Sequence, residues 1–306
     1  MEIGHSKASV RVTSAVRKRQ PRSAASMLHG ALKWPLVTFS LAVMVVLMTM
    51  AVFADFIASD PYVMHAKMRM APVLSLAPNG MTLLLGGDQL GRDLFSRIVF
   101  GARTSLLIGL CAVAVGTTLG AAVGVASGYF GGKLDIVVQR WMDAQQAIPM
   151  LVLAMVIMGI LGPSFVNVIL AIAIVQIPRT NRVARGATLA VREQAYVDAA
   201  RGVGCGHLRI LLRHILPNVS APIVVIGTVS LGSAILVEAS LSFLGMGTPA
   251  PTPSWGSMIS GAGREFLLRD PKLLYVPGLA LMLTVMSFNL AGDALRDLLD
   301  PRLRGM

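Results

Sequence analysis

The sequence predicts an all-α, polytopic membrane protein with about six transmembrane helices and both termini in the cytoplasm. Its 306 residues are 55% hydrophobic and only 14% charged, whereas about a quarter of the residues of a soluble domain are charged. The apolar residues come in blocks separated by polar loops, which is typical of several membrane-spanning helices. The net charge of +12 would suit nucleic-acid binding. The Lys and Arg residues, however, lie in the loops between apolar blocks, so membrane topology explains them better.

Residues 1–33 are rich in Lys and Arg, carry a single acid and show no apolar periodicity. We expect a disordered, basic cytoplasmic tail. The first apolar block follows at about 34–57. A cleaved secretory signal is the alternative, because AVFA at 51–54 looks like a signal-peptidase site. The block is longer than the roughly 7–15 apolar residues of a signal peptide, which favours a retained first span.

Residues 58–103 are predicted to form an extracytoplasmic segment that belongs with the first span, in a unit of residues 34–103. Several Pro and Gly residues mark turns within it. Its second half, 87–97 (GDQLGRDLFSR), is polar and irregular, and we expect a solvated interfacial segment that caps the next helix.

The second span is predicted at about 104–126. Four glycines recur at every fourth position along it, at Gly116, Gly120, Gly124 and Gly128. Small residues at this spacing let two helix backbones approach closely, so the stripe predicts helix packing. The pattern does not say whether the partner helix lies in this chain or in another.

A short loop with Lys133 and Arg140 leads to a third span at about 147–161, and Gly-Pro-Ser at 162–164 turns the chain into a fourth at about 165–177. Both spans are shorter than the roughly 20 residues that cross a bilayer. We therefore expect their true ends to include the polar neighbours Gln145, Gln146 and Gln176.

The polar, basic island 178–220 is the stretch around which the chain is organised. It holds two short helical patterns separated by Gly204-Cys205-Gly206. The second pattern is predicted to end at Pro217. Its apolar residues have the spacing of one helix face, and they are Leu208, Leu211, Leu212 and Ile215. Such a structured loop between membrane spans predicts a docking site for another protein.

The fifth span is predicted at about 221–244 and the sixth at about 273–291, with a short charged tail at 293–306. The loops on the side of both termini hold most of the basic residues, which places that side in the cytoplasm. Arg92, Arg97 and Arg103 lie on the opposite side, where Asp88 and Asp93 offset them in part.

Glu238 lies within the fifth apolar block, where a charged side chain costs about 2.5–3.5 kcal/mol at a helix centre. Gly227, Ser230 and Ala234 precede it at helical spacing, so it shares a face with small residues and is expected to point into the bundle. Lining a translocation path and bridging helices are both open roles.

No enzyme motif is complete in this sequence. The stretch 127–134 (SGYFGGKL) lacks both the first Gly and the final hydroxyl of a phosphate-binding loop. His207 and His214 could share a helix face, but two ligands without a third predict no metal site. Cys111 and Cys205 are too isolated to predict a disulfide framework.

The island also carries a recognisable motif. VDAARGVG at 197–204, followed by HILPN at 214–218, resembles the EAA loop (about 192–218) of binding-protein-dependent ABC importer permeases. Asp198, before Ala199 and Ala200, stands where that family usually has Glu, which keeps the charge on a shorter side chain.

Further stretches are similar to the C-type permeases of dipeptide, oligopeptide and nickel importers. They are residues 87–97 with GAR at 101–103, EASLSFLG at 238–245, PTPSWG at 251–256 and LRDLLDPR at 295–302. The resemblance covers about residues 30–305. It implies a MetI-like type I permease fold with a permease core at 104–292.

The resemblance implies a non-catalytic subunit of the plasma (inner) membrane of a prokaryote. It would pair with a second homologous permease, two cytosolic ATP-binding subunits and an extracytoplasmic solute-binding protein, and would bind lipid but no nucleic acid. ATP and Mg would be bound by the ATPases, so this chain would hold no cofactor and no metal. The EAA loop would couple the ATPases to a path for di- or oligopeptides, with nickel or glutathione as alternative solutes.

Two other classes of protein are open alternatives. An ion-coupled secondary transporter would need broken helices and several intramembrane acids, whereas Glu238 is the acid that lies well inside a predicted span. A membrane scaffold would use the island only to recruit a soluble protein.

Overall fold

A computed structural model of the chain describes residues 34–77, 80, 82–260 and 269–299. The expected tail 1–33 and the last residues, 300–306, lie outside this range. The helices are α1 (Pro35–Val52), α2 (Ala54–Ile57), α3 (Leu94–Phe130), α4 (Gly132–Gln146), α5 (Met150–Leu161), α6 (Phe165–Arg192), α7 (Ala195–Gly202), α8 (His207–Ile210), α9 (Leu216–Phe243), α10 (Trp255–Ile259) and α11 (Lys272–Leu299). A 3-10 turn (Ala66–Met68), a π turn (Leu211–Ile215) and a two-stranded antiparallel hairpin, β1 (Ser75–Leu76) and β2 (Thr82–Leu83), complete the described elements.

Among these residues, four helical segments are long and apolar enough to cross a membrane. They are α1, α3, the continuous run His207–Phe243 and α11. Helices α4 and α5 together make a fifth if their bent pair counts as one span, with an angle of 91° between them. The sequence predicts six spans. The other expected span is the first half of α6, whose second half carries arginines of the basic island and lowers the apolar character of the whole helix.

Several predicted boundaries are wrong in the same direction. The loop expected around Lys133 and Arg140 is helix α4, α3 begins at Leu94, and α11 continues to Leu299 through the described part of the expected tail. Apolar blocks mark where a chain crosses the hydrocarbon, and a helix can continue into water beyond that point. The start of α3 is fixed by Asp93, whose side chain accepts hydrogen bonds from the backbone N–H groups of the first turn.

Helix α3 is the centre of the bundle, because three buried clusters form along it. At its extracytoplasmic end α1, α10 and α11 pack around Trp255 and Phe288. Around its middle, α5, α6 and α9 pack on Ile108 and Ala112. At its cytosolic end α7, α8 and the start of α9 pack on Tyr129 and its neighbours.

The glycine stripe of α3 packs against α6 of the same chain, which answers the question left open by the sequence. A Cβ added at Gly120 would lie 2.7 Å from the carbonyl oxygen of Ile177, and one at Gly124 would lie 2.5 Å from that of Asn181. The two outer glycines continue the register, Gly116 against Ala173 and Gly128 against Arg185. Because both numbers rise together by four, the two helices run parallel with their backbones in contact.

The sequence predicts that the polar stretch 87–97 is solvated. The structure shows a buried ion network instead. Asp88, Arg92 and Arg97 are only 3%, 7% and 6% exposed. Asp88 accepts hydrogen bonds from the N–H of Leu90 and of Arg92, and its carboxylate lies 2.7 Å from Arg92 and 3.5 Å from Arg97. Charged residues in a loop suggest solvation, but here the carboxylate closes the loop on itself and on α3.

Arg103, the third extracytoplasmic arginine, attaches α1 to α3. Its guanidinium donates to the carbonyl oxygens of Ala51 and Val52 at 2.8 and 3.2 Å. It also pairs with Asp55 at 2.8 Å. A cation at a helix C-terminus interacts favourably with the last carbonyls. The arginines that seemed misplaced for topology are therefore all engaged within the chain.

The glycine contact yields a first prediction. Gly124→Ala places a methyl group against the Asn181 carbonyl, so we expect the folded state to lose about 1–3 kcal/mol, the usual cost of overpacking. The measurement is thermal unfolding of the purified protein in detergent.

Gly159→Ala is the matched control, because Gly159 is also helical and its added Cβ would meet no described atom within 4 Å. Equal melting temperatures for the two variants would contradict close packing of α3 on α6.

Candidate functional site

The cytosolic hairpin, defined as residues 195–216, begins with α7 and a glycine-dependent turn. The N–H of Gly204 donates to the carbonyl of Arg201, and the N–H of Cys205 donates to that of Ala200. These two bonds form a Schellman motif, which needs a left-handed residue after the helix. Gly204 supplies it with φ of +80°. Gly206, the other glycine between the two helical patterns, is extended with φ of −66°.

Pro217 does not end the second helical pattern, contrary to the prediction. Helix α8 passes through the π turn into α9, giving one continuous helical run. In this turn the N–H of Leu216 donates to the carbonyl of Leu211, five residues back. A proline in a regular helix lacks a donor and clashes with the carbonyl four residues earlier. The wider turn before Pro217 relieves this conflict, so the helix continues.

The π turn also divides the apolar face that the sequence predicts. Ile215 is completely buried and Leu211 packs partly against the same cluster. Leu208 and Leu212 are instead 69% and 57% exposed. The extra residue in the turn breaks the spacing of 3.6 residues, so the four residues do not share one face.

The buried side of the hairpin holds it firmly to the bundle. Ile210 and Ile215 join Val197 and Ala200 in the cluster under the end of α3. The Oη of Tyr129 lies 2.9 Å from Nδ1 of His207. The hairpin therefore cannot move without moving the end of α3.

Arg192, at the end of α6, strengthens this attachment. Its guanidinium donates to the carbonyl oxygens of Gly128 and Tyr129 at 3.1 and 3.4 Å. These carbonyls belong to the last turn of α3, so one side chain joins the end of α6 to the end of α3, just before the hairpin begins.

The outer side of the hairpin is an exposed apolar surface with basic edges. We call it the outer surface and define it by Val203, Leu208, Leu212 and Leu216. Arg209 and Arg213 are exposed between these side chains. An apolar ridge of this kind on a short helix suits insertion into a groove of another protein.

The three residues of the EAA-like motif lie on α7 and have different surroundings. Asp198 is exposed and pairs with Arg201 one turn later at 2.9 Å. Ala199 is exposed, whereas Ala200 is buried at 6%. Ala200 packs in the buried cluster under the end of α3.

Glu238 is completely buried within the bundle, where it bridges two helices. Its carboxylate accepts a hydrogen bond from Ser105 of α3 at 2.9 Å and another from Ser242 of α9 at 2.7 Å. A buried carboxylate needs such donors to offset its desolvation. Of the two roles left open by the sequence, these contacts favour bridging helices within this chain.

The two histidines of the hairpin are separated in space. His207 contacts Tyr129, and the ring of His214 lies 6.3 Å from that of Tyr196. Within the described ranges, no group of three His, Cys, Asp or Glu residues could hold a metal ion.

Comparison with known proteins identifies the class to which this architecture belongs. A family model described as the binding-protein-dependent transport system inner membrane component matches residues 116–305, which include the glycine stripe, the hairpin and Glu238. The chain belongs to this family.

Two relatives support the same assignment. A probable D,D-dipeptide transport system permease from Escherichia coli K12 is 41% identical over 296 residues, or 96% of this chain and 97% of the relative. A dipeptide transport system permease from Alkalihalophilus pseudofirmus is 44% identical over 219 residues, or 72% of each chain.

Among solved structures, an inward-facing MetNI methionine ABC transporter contains a chain with the same fold. The TM-score is 0.55 at 18% identity, and the match covers 67% of this chain and 96% of that chain. The expected MetI-like fold is confirmed. This ABC permease is a multi-pass subunit of an importer in a prokaryotic plasma membrane. Such permeases work with membrane, ATPase and binding-protein components.

Sequence reasoning missed two functional features of the hairpin region. The π turn was missed because apolar spacing assumes a regular helix, although Pro217 after a helical pattern signals a local distortion. The contacts of Tyr129 and Arg192 were missed because they join distant segments, and a single sequence gives no sign of such pairs.

A second prediction concerns Glu238. Glu238→Ala leaves the hydroxyls of Ser105 and Ser242 without their acceptor and opens a cavity. We therefore expect a clear fall in melting temperature, from the cost of about 1–3 kcal/mol for each unsatisfied buried polar group. Glu238→Gln keeps an oxygen acceptor and the volume, and should melt close to the wild type.

Glu193→Ala is the control, because this acid is 72% exposed. If Glu238→Ala unfolded at the same temperature as the control, the bridging role would be wrong.

Proposed function

We propose that this permease forms, with a second homologous permease, the translocation path for di- and oligopeptides, and that its cytosolic hairpin couples this path to two ATPase subunits. The observation that carries the coupling role is the outer surface. It presents Leu208 and Leu212 to solvent on a hairpin whose opposite side is fixed to α3 and α6.

The attachment of the hairpin supplies a mechanical route for coupling. Force on Leu212 passes through the helical run into α9, since His207–Phe243 is continuous. The same force passes through Tyr129 and Arg192 into α3 and α6. When the ATPases close on ATP, they move the hairpin, and these three helices tilt with it.

The division of labour follows from the same proposal. The ATPase subunits bind ATP and Mg and hydrolyse the ATP, and this chain is a non-catalytic subunit that binds no cofactor. Gly204 fixes the bend of the docking element, and Asp198, Ala199 and Ala200 lie on the helix before it. An extracytoplasmic binding protein delivers the solute and does most of the selection.

Peptides are the proposed solutes because the relatives with 41–44% identity are named as dipeptide permeases. Nickel and glutathione are the alternatives within the same architecture. The buried, hydrogen-bonded state of Glu238 gives no support to an ion-coupled secondary transporter.

A third prediction tests the coupling surface. Leu212→Asp places a charge in the middle of the outer surface, so we expect the ATPases to be lost on co-purification and uptake to be abolished. The fold should survive because Leu212 is 57% exposed.

Leu76→Asp is the control, since Leu76 is 74% exposed on the opposite side of the protein. Its ATPases should co-purify as in the wild type. Retention of the ATPases and of uptake in Leu212→Asp would refute docking through this surface.

A fourth prediction tests the solute. The complete importer in liposomes, with its binding protein outside and ATP inside, should accumulate a labelled dipeptide, and omission of ATP should abolish uptake. Nickel uptake or glutathione uptake without dipeptide uptake would select the alternative solutes. Uptake without ATP would indicate a secondary transporter. Binding of the ATPases without any uptake would indicate a scaffold.

A further inference from the structure

Helix α4 does not lie flat on the membrane but runs antiparallel along α6 toward the middle of the bundle. Asp135 pairs with Arg185 at 2.6 Å near its start. The Nε2 of Gln145, near its end, donates to the carbonyl of Ile174 at 2.6 Å. The chain then breaks at 147–149 and turns by 91° into α5. Counted as one span, α4 and α5 are broken at the level of Ile174.

The break lies near the middle of the membrane. The turn at 162–164 must be near the extracytoplasmic surface, because lipid-exposed irregular backbone does not occur within the hydrocarbon. At 1.5 Å per residue, Ile174 is about 14 Å and Arg179 about 21 Å along α6 from Phe165. A hydrocarbon core is about 30 Å thick. Arg179 therefore lies in the third of the hydrocarbon core that is nearest the cytosol.

A cavity of about 390 Å³ opens at the break. This is within the range of about 300–1,000 Å³ that small-molecule sites occupy. Among the described residues its polar lining consists of Gln145, Gln146, Arg179 and Arg182, with no acid.

The charges of the cavity are not balanced. Arg182 pairs with Asp143 at 3.2 Å, whereas Arg179 has no hydrogen bond or ion pair with any described residue. Gln146 is exposed beside it. Two amides and a free guanidinium at this depth would be costly against lipid. The cavity therefore faces the aqueous path.

The geometry points to a carboxylate-binding site at this break, in which Arg179 and Gln146 hold the C-terminal carboxylate of a peptide on its way to the cytosol. A guanidinium presents paired N–H donors that match a carboxylate. Solute sites of transporters also lie near the midplane, at discontinuous helices. This inference rests on the proposed function, because it assumes that the solute is a peptide.

The test uses the complete importer in liposomes and measures uptake of a labelled dipeptide. Arg179→Gln should lower uptake about tenfold or more, the loss expected for one hydrogen bond to a charged group. Arg179→Lys keeps the charge and should retain more uptake. Arg140→Gln is the matched control, because Arg140 is exposed on α4 but does not line the cavity.

A labelling experiment separates the possible occupants. Ile148→Cys, at an exposed residue that lines the cavity but does not hold the carboxylate, is alkylated by a water-soluble maleimide from the ATPase side, in a chain with Cys111 and Cys205 replaced by Ser. Dipeptide should slow this alkylation during turnover, and Arg179→Gln should remove the protection.

Equal dipeptide uptake by wild type and Arg179→Gln would overturn the inference while leaving the proposed function intact. Alkylation that dipeptide does not slow would also overturn the inference. If the Arg179→Gln variant then lost a bound phospholipid, the occupant of the cavity would be a lipid phosphate. Loss of the second permease from the variant would indicate an acid of that subunit. A wild-type importer that carries no dipeptide would refute the proposed function, and this inference with it.

Discussion

The contact between α3 and α6 is the constraint on which the rest of the structure depends. Four glycines leave α3 without side chains at the contact, so that its backbone meets the backbone carbonyls and small side chains of α6. In a bilayer no hydrophobic force drives helices together, so close packing of this kind supplies the association. The contact fixes how α3 and α6 are aligned along their axes, and so it positions the segments attached to their ends. Arg192 meets the last turn of α3, Asp135 meets Arg185, and the hairpin finds its base on Tyr129.

The arginines of this chain have two kinds of surroundings. On the extracytoplasmic side, Arg92, Arg97 and Arg103 are bound to acids and carbonyl groups of their own chain. On the cytosolic side Arg209 and Arg213 are exposed beside apolar side chains. The arginines that bind groups of their own chain stabilise the fold, whereas Arg209 and Arg213 are available to a partner. Their local contacts, and not their number alone, separate the two roles.

Much of this organisation could be predicted from local pattern. The glycine spacing predicted close packing, and Gly204 after a helical pattern predicted a bend. The small residues before Glu238 predicted that it points inward. These signals are local in sequence because each depends on one helix face or one turn. Burial of Asp88 and the pairing of Glu238 with Ser105 depend on segments far apart in the chain. The roles of the hairpin residues in coupling stay predictions.

The π turn between α8 and α9 also sets a phase relation along the whole helical run. It accommodates one residue more than an α-helical turn between the hairpin and the membrane. If the same residues formed a regular α-helix instead, everything after the turn would be rotated by about 100° relative to the hairpin. Glu238 would then face away from Ser105 while the hairpin kept its place. The turn therefore lets the chain carry one extra residue between the hairpin and the membrane, while the helix beyond it keeps the angle that brings Glu238 to Ser105.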